Sequence, residues 1–370
     1  MLYYFLLVYL VFGVFFRAFL NWEYIDEITV VVLLSVAFVK TSIVKNIEFK
    51  VLGLYALFCI VYSYFFSVNR NTYGMLLDAF QQFKPFSIFY AVWALCEKKL
   101  SKKQCKVLEK LSLWLAIISF VIIVANGDIH AFYGHPGNFS NSILDFAIVH
   151  YFVTGGKKYK QSFIILLIGI VGGRSKMYGE IVAAAYTFFL MKNKIKFNFK
   201  YILIGFIVLI GILYVAREKI SLYLYGDELV DADKMARTLF YTNMPYLLAH
   251  YFPFGSGLAS YATWFSGVFY SPLYESLNLS EIYGIRRDFF DFVADTYYPS
   301  LAEFGVVGIF FFLFYWYRRY KVPLNGYNYK LKILIIFFIL IECTTSPFLV
   351  SAAGVIPMVI LAMNEKLYKV

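Results

Sequence analysis

Apolar stretches alternate with short polar connections along almost the whole chain. Twelve runs can be delimited, near residues 2–20, 28–44, 50–67, 83–97, 110–126, 141–154, 160–172, 177–191, 201–216, 296–317, 331–346 and 349–363. A helix that crosses the hydrocarbon core of a bilayer needs roughly 17 to 25 predominantly apolar residues, and several of these runs are shorter. The pattern predicts an all-α polytopic membrane protein with about twelve transmembrane helices.

One polar interruption breaks this alternation. It comprises residues 217–296, an 80-residue segment between the ninth and tenth runs. The predicted organisation is one membrane domain, with transmembrane helices 1–9 in residues 1–216, a large loop in 217–296 and helices 10–12 in 297–370. Loops on a rigid scaffold carry function disproportionately, so the chemistry of the protein is expected in this loop.

Composition points to the same class of protein. Hydrophobic residues make up 61% of the chain and charged residues 15%, and the mean hydropathy is +0.68. A soluble core of 370 residues could not hide that much apolar surface, so the bilayer is the expected environment. The large loop contains no cysteine, and we therefore predict no disulfide framework.

The distribution of charge predicts the topology. If the chain starts inside, the connections on the inner side hold 23 of the 34 Lys and Arg residues. By the positive-inside rule both termini are then cytoplasmic and the large loop is extracytoplasmic. The formal net charge of +11 is spread over six separate inner segments, and this excludes the continuous basic patch that nucleic-acid binding requires.

The large loop predicts a short amphipathic helix along the membrane surface. After the acidic stretch Gly226–Asp233, apolar residues follow helical spacing, with Pro245 either kinking the helix or marking its first turn. The apolar positions are Phe240, Met244, Leu247, Leu248 and Tyr251. The turn Pro253–Gly257 comes next, and its two glycines either bring backbone amides close to an anion or serve as ordinary loop punctuation.

Two cations stand at membrane depth in the connection Gly172–Lys176 between runs seven and eight. Such charges cost several kcal/mol unless they are paired, and they mark functional sites by default. Lys176 either belongs to a functional site or extends its ammonium to the external headgroups. The planar guanidinium of Arg174 is the better bidentate ligand for phosphate.

Three separated segments, taken together, resemble a known family. Gly172–Ser175 is similar to the Ser-Arg turn of bacterial O-antigen polymerases and ligases, and Arg237 with the turn Pro253–Gly257 resembles their external Arg…Pro-x-x-Gly-x-Gly segment. Asp295–Gly308 resembles the stretch that leads from the large loop into the next helix in that family. Tyr133–Asn138 carries a fourth, weaker likeness.

The resemblance covers roughly residues 110 to 320 and implies a GT-C-like membrane fold with external short helices. Ligases of this superfamily carry a functional His where this chain has Ala294, so the resemblance favours an oligosaccharide repeat-unit polymerase of the Wzy type. Its implied location is the bacterial cytoplasmic membrane. Implied partners are polyprenyl-pyrophosphate-linked oligosaccharides, a chain-length regulator and a flippase.

In such a polymerase a sugar hydroxyl attacks an anomeric carbon and lipid pyrophosphate departs. Arg174 and Arg237 are assigned to the departing pyrophosphate, and either Asp295 or His250 accepts the hydroxyl proton. The residues assigned to substrate binding are Lys176, Gly255, Gly257, Arg286, Arg287, Glu303 and Asn138. For Arg286 and Arg287, a solvated surface is the alternative.

Several acidic residues leave alternatives open. Asp145, Glu180, Glu303 and Glu342 lie inside apolar runs, where they either line a cavity for the lipid headgroup or pair with Lys84, Arg17 or backbone groups and stabilise helix packing. The acidic pairs Asp26–Glu27 and Asp231–Asp233 are too weak as signals to predict a metal, and no nucleotide motif or other cofactor site is found. A flippase or other transporter of the same lipid-linked glycan is the rival function.

Overall fold

The structure is a computed structural model. It describes residues 1–191, 226–227, 230–231 and 236–369, apart from Ala18, Asn21, Glu23 and Ser42. The predicted ninth run, the Lys192–Lys200 connection and most of the acidic stretch, including Asp233, lie outside the described residues.

Helices build the described part of the chain. The first half contains α1 (Leu2–Val8, continued by a π-helix over Tyr9–Phe15), α2 (Ile25–Lys40), a 3-10 turn (Ile43–Lys45), α3 (Ile47–Phe66), α4 (Thr72–Leu95), α5 (Lys102–Asn126), α6 (His130–Tyr133), α7 (Pro136–Val153), α8 (Tyr159–Ile168, continued by a 3-10 turn over Gly169–Gly172) and α9 (Ser175–Ala185, continued by a π-helix over Tyr186–Leu190).

The second half opens with a two-residue antiparallel ladder. Its strands are β1 (Gly226–Asp227) and β2 (Val230–Asp231). The helices that follow are α10 (Ala236–His250), α11 (Trp264–Val268), α12 (Pro272–Ser276), a 3-10 helix (Tyr298–Phe304), α13 (Gly305–Lys321), α14 (Gly326–Glu342), 3-10 turns (Phe348–Val350 and Ala352–Gly354) and α15 (Val355–Tyr368).

Helices cover the greater part of the eleven predicted runs that lie within the described residues. Within the part of the chain that the structure describes, three helical segments are long and apolar enough to cross a membrane: Ile47–Phe66, Lys102–Asn126 and Tyr298–Lys321. On α3 most apolar side chains are exposed, with Leu54 at 67%, and a continuous apolar surface of this kind is typical of a helix that faces lipid. The fold is thus helical with membrane-spanning character, while the count of twelve spans and the external loop remain predictions.

The core is built around α4 and α15. Helix α4 packs against α15, α2 and α3, and α7 packs against α5, α8 and α15. Residues 355–365 of α15 are all buried, which is the pattern of a helix enclosed on every side. Charges on these helices are paired internally, as shown by the buried Lys84, whose Nζ contacts Asp26 and lies 2.7 Å from Glu27 Oε1.

The expected helix in the loop region is confirmed as α10. Phe240 and Leu247 are buried in a second apolar cluster, together with Tyr261, Tyr274 and other residues of the segment that follows. Pro245 lies well inside the helix, so the alternative in which it marks the first turn is wrong. The position of α10 along a membrane surface remains a prediction.

Candidate functional site

Arg237 and Asp295 form the centre of the site. Arg237 stands at the start of α10, and its guanidinium forms an ion pair with the carboxylate of Asp295, which precedes the 3-10 helix Tyr298–Phe304. Their side chains are 16% and 38% exposed, respectively, so the pair is partly open. Two segments 58 residues apart in the chain therefore meet at one charged contact.

The connection before α9 adds two more cations to this centre. Burial raises the pKa of Asp295 above its usual range, and the positive charges of Arg237, then Arg174 and Lys176, oppose that rise. Arg174 and Lys176 therefore lie within electrostatic reach of the carboxylate that Arg237 contacts. The structure brings together three of the cations that the sequence singled out.

Lys176 is held in place by the end of α14. Its ammonium forms a buried ion pair with Glu342 and lies 3.4 Å from Asn141 Oδ1 and 3.5 Å from Ser346 Oγ. The Ser346 hydroxyl also donates to Glu342 Oε2 at 2.9 Å. Because its ammonium is buried against these groups, the expectation that Lys176 reaches out to the headgroups is wrong.

Arg174 differs from the other two cations in its partners. It is half-buried and precedes the first residue of α9, with an extended backbone at φ −88° and ψ 124°. Among the described residues, no group forms a hydrogen bond or ion pair with its guanidinium. Its donors are therefore available to an anion, and a planar guanidinium can engage two phosphate oxygens at once.

One hydrogen bond joins the two halves of the site. The hydroxyl of Tyr241, one turn into α10, donates to the carbonyl of Thr344 at 2.9 Å. Thr344 lies in the connection directly after Glu342, the partner of Lys176. The start of α10 and the start of α9 are thus anchored to the same short segment, which fixes the cations relative to each other.

His135 lies beside the cations, a feature that the sequence did not assign to the site. Partial desolvation lowers its pKa, and the charges of Arg174, His130 and Lys176 lower it further. Its Nδ1 accepts a hydrogen bond from the Gly137 amide at 3.0 Å and thereby caps α7. A neutral imidazole with Nδ1 occupied carries its proton on Nε2 and can donate from there. The family-like segment Tyr133–Asn138 was the available signal.

The glycine turn does not present its amides to a ligand. The N–H groups of Gly255, Ser256 and Gly257 donate to the carbonyls of Tyr251, Ala302 and Glu303, at 2.8, 3.2 and 3.0 Å. Both glycines have positive φ, of 87° and 85°. The anion-binding interpretation of Gly255 and Gly257 is wrong, because backbone acceptors already occupy these donors.

Close backbone contact explains the glycines instead. A Cβ at Gly255 would lie 2.3 Å from the Gly305 nitrogen and 2.4 Å from the Ala302 oxygen. A Cβ at Gly257 would lie 2.5 Å from Ser67 Cβ. The turn therefore packs directly against the start of α13 and against Ser67, the residue that follows α3.

Glu303 is enclosed rather than open to substrate. Its Oε1 accepts from the amides of Ser260 and Tyr261, each at 2.7 Å, and Asp78 Oδ2 accepts from the amide of Ala259 at 2.8 Å. Both acids are buried, and they lie close enough to interact with each other. The carboxylate of Glu303 satisfies the backbone of the turn that covers it, which favours a structural role, and the substrate-binding assignment of Glu303 remains a prediction. Asp78 was missed because it stands alone in an apolar pattern.

Two other predicted residues, His250 and Asn138, have no hydrogen bond or ion pair with the cation centre among the described contacts. His250 is exposed at the opposite end of α10, 13 residues from Arg237, and an α-helix rises roughly 1.5 Å per residue, which separates the two by about 20 Å. Asn138 accepts from Arg17 Nη2 at 2.7 Å and donates to the Tyr133 carbonyl at 3.0 Å. His250 and Asn138 are therefore not brought into contact with the cations.

The paired arginines of the loop lie on the surface. Arg287 Nη2 is 3.3 Å from Glu275 Oε1, and Arg286 Nε is 3.4 Å from Asp288 Oδ1. All four side chains are substantially exposed. This placement fits the solvated-surface alternative for Arg286 and Arg287.

Three buried acids lie behind Lys176. Asp145 on α7, Glu180 on α9 and Glu342 on α14 are almost completely buried, and they interact electrostatically with one another. Lys176 forms an ion pair with Glu342, and the positive charge of Arg17 interacts electrostatically with Asp145. Glu342 is therefore paired with a cation, but its partner is Lys176 and not the predicted Lys84 or Arg17.

Within the described part of the chain, no group of three His, Cys, Asp or Glu side chains is arranged to hold a metal ion.

No protein-family model, no curated protein and no solved structure matches the chain. The function must therefore be argued from the chemistry of the cation centre itself.

Proposed function

We propose that the protein is a membrane polysaccharide polymerase that joins polyprenyl-pyrophosphate-linked oligosaccharide repeat units at the extracytoplasmic face. A hydroxyl oxygen of one unit forms a new bond to the anomeric carbon of another. The bond from that carbon to the pyrophosphate breaks, lipid pyrophosphate leaves with the electron pair, and the hydroxyl proton passes to a base. The reaction is a metal-independent glycosyl transfer.

The observation that carries this proposal is that Arg237 forms an ion pair with Asp295 while the charges of Arg174 and Lys176 act electrostatically on the same carboxylate. The departing pyrophosphate gains negative charge in the transition state, and fixed cations aimed at that charge accelerate the step directly. Each charge-assisted hydrogen bond contributes about 1.5–3 kcal/mol. Arg174 supplies donors that no described group occupies, and Arg237 supplies a second guanidinium.

Asp295 is the base in this mechanism. In the absence of substrate it neutralises Arg237. When the guanidinium of Arg237 turns to the pyrophosphate, the carboxylate is released to accept the hydroxyl proton. A pKa above the ordinary aspartate value makes Asp295 a stronger base than a solvated carboxylate. His135, whose Nε2 carries a proton, donates a hydrogen bond to the glycan or to the phosphate.

The rival function is transport of the same lipid-linked glycan. The buried acids Asp145, Glu180 and Glu342 favour it, because acidic side chains inside a membrane protein can pass protons that drive movement. A transporter moves the glycan across the bilayer without making a glycosidic bond. An O-antigen ligase would instead transfer the glycan to lipid A core.

The test is a chain-lengthening assay with purified protein and lipid-linked repeat units. The polymerase proposal requires longer glycans and release of polyprenyl pyrophosphate. Movement of the glycan across a proteoliposome membrane with no new glycosidic bond would establish the transporter instead, and transfer only to added lipid A core would establish the ligase.

Arg237→Ala tests the assignment of the residue. We expect it to slow lengthening by at least tenfold, because one charge-assisted bond of about 1.5–3 kcal/mol is lost. The matched control is Arg70→Gln, an exposed arginine whose guanidinium donates to the Phe65 carbonyl at 3.3 Å. Unchanged lengthening by Arg237→Ala would remove Arg237 from the mechanism.

A further inference from the structure

Two adjoining cavities lie between α3, α4 and α13, and the first extends to Tyr297, two residues after Asp295. The first has a volume of about 220 Å³, and its lining is mostly aromatic, including Tyr55, Phe83, Phe86, Phe311, Phe312 and Phe314. The second has a volume of about 440 Å³ and is lined largely by charged and polar groups. Ile47, Glu48, Tyr90, Arg318 and Arg319 line both, so the two cavities form one continuous groove.

The polar cavity carries an excess of positive charge. Its cations are Arg318, Arg319, Lys321 and Lys369, and its acids are Glu48 and Glu365. Arg319 Nη1 lies 2.7 Å from Glu365 Oε2, and Arg318 Nη2 lies 2.7 Å from Glu48 Oε1. The two arginines thus neutralise the two acids. The charges of Lys321 and Lys369 are left without an acidic partner among the described residues.

Arg319 is fixed in this groove before any ligand arrives. It is buried, and its guanidinium lies 4.8 Å from the centre of the Phe89 ring and 5.4 Å from that of Tyr315. It also forms an ion pair with Glu48. Its buried Nε has no hydrogen-bond partner among the described residues, and neither has Oε1 of its ion-pair partner Glu365.

We propose that this groove binds an anionic phospholipid of the cytoplasmic leaflet. The phosphodiester lies among Arg318, Lys321 and Lys369, and one acyl chain lies along the aromatic cavity. The positive charge at one end of the groove complements the phosphodiester, and the apolar cavity at the other end accommodates an acyl chain. A phospholipid presents its headgroup and its chain in the same order. Basic pockets between helices on the cytoplasmic side are suited to such headgroups. The positive-inside rule assigns this end to the cytoplasm.

Native mass spectrometry of the full-length protein in detergent tests the proposal, with phosphatidylglycerol and phosphatidylcholine titrated in turn. We expect wild-type protein to retain one phosphatidylglycerol in preference to phosphatidylcholine. The double variant Arg318→Gln/Lys321→Gln removes two charges from exposed side chains and should weaken retention about 30-fold. Lys103→Gln, an exposed cation on the same side that does not line the groove, should leave retention unchanged.

A second variant addresses the apolar cavity without altering the charge. Val51 lines it and is partly exposed, so Val51→Trp fills the channel and should also reduce phosphatidylglycerol retention. Equal retention of the two lipids, or retention that neither variant changes, would overturn the proposal. So would equal competition by glycerophosphate, which has no acyl chain, or a copurifying polyprenyl phosphate that phosphatidylglycerol does not displace. The readout is independent of polymerase activity.

Discussion

Two regions that were assigned to substrate binding from the sequence differ in whether their hydrogen-bond donors already have partners. At the cation centre, Arg174 has no partner among the described residues and the Arg237–Asp295 pair is partly exposed. At the glycine turn, the amides of residues 255–257 and 259–261 are hydrogen-bonded to carbonyls and to buried carboxylates. Both regions contain chemistry suited to phosphate or glycan, but only the first retains donors that a ligand could use.

The cation centre has the features of a binding site, whereas the glycine turn is a structural contact between distant segments. A buried polar group contributes to stability when its partners come from the protein, and it contributes to binding when a partner is still missing. Changes in the glycine turn should therefore alter folding, whereas changes in the cation centre should alter activity while the fold is retained.

The largest effect is expected at Gly255. The added Cβ of Gly255→Ala would lie 2.3–2.5 Å from backbone atoms of residues 302, 303 and 305, and the residue has a φ of +87°. Neither the clash nor the backbone conformation can be relieved by moving a flexible side chain, so we expect little folded protein. Size-exclusion chromatography in detergent measures this yield. Gly53→Ala on α3, where a Cβ would meet nothing within 4 Å, is the matched control.

A smaller but still large loss of stability is expected for Glu303→Ala. The variant leaves the buried amides of Ser260 and Tyr261 without an acceptor, at about 1–3 kcal/mol for each. Glu303→Gln keeps a carbonyl acceptor and should recover most of the loss. Thermal unfolding in detergent measures both changes. If Glu303→Ala melts like wild-type protein and loses only activity, Glu303 belongs to the binding site and not to the structural contact at the glycine turn.

Sequence patterns predicted the helices better than they predicted the partners of the charged residues. Hydrophobic runs report local periodicity, and Arg174 and Arg237 stand out because charge is costly beside apolar runs. Partners depend on contacts between distant segments. Asp78 binds an amide 181 residues away, and Lys176 pairs with a glutamate 166 residues away, so neither contact leaves a local signal.

The same reasoning explains the wrong assignments at the turn. Glycines at 255 and 257 are compatible both with an anion site and with close backbone packing, and only the carbonyls of residues 302 and 303 distinguish the two. The sequence does not single out His135 as a site residue, because its proximity to Arg174 arises from the packing of α7 against the 3-10 turn Gly169–Gly172 and not from spacing in the chain.

Asp295→Asn should reduce the rate of glycan lengthening about 100-fold or more, the range expected for loss of a general base, with an unchanged melting temperature. Asp291→Asn, an exposed acid in the same segment, is the control.

The pH profile sharpens this assignment. The pKa of Asp295 lies above the ordinary aspartate value, so the carboxylate that acts as base is lost as pH falls through that raised pKa. The wild-type rate should therefore decline on the acid side at a higher pH than an unperturbed aspartate would allow. A profile in which this acid limb persists unchanged in Asp295→Asn would exclude Asp295 as the base.

Binding of the product tests whether the guanidinium of Arg174 is available to pyrophosphate. Polyprenyl pyrophosphate is titrated into detergent-purified wild-type protein, Arg174→Ala and the Arg70→Gln control, and the melting temperature of each is recorded. We expect Arg174→Ala to raise Kd by about tenfold to a hundredfold with no change in melting temperature, while the control binds normally. An Arg174→Ala protein that is folded and binds polyprenyl pyrophosphate as tightly as wild type would contradict this expectation.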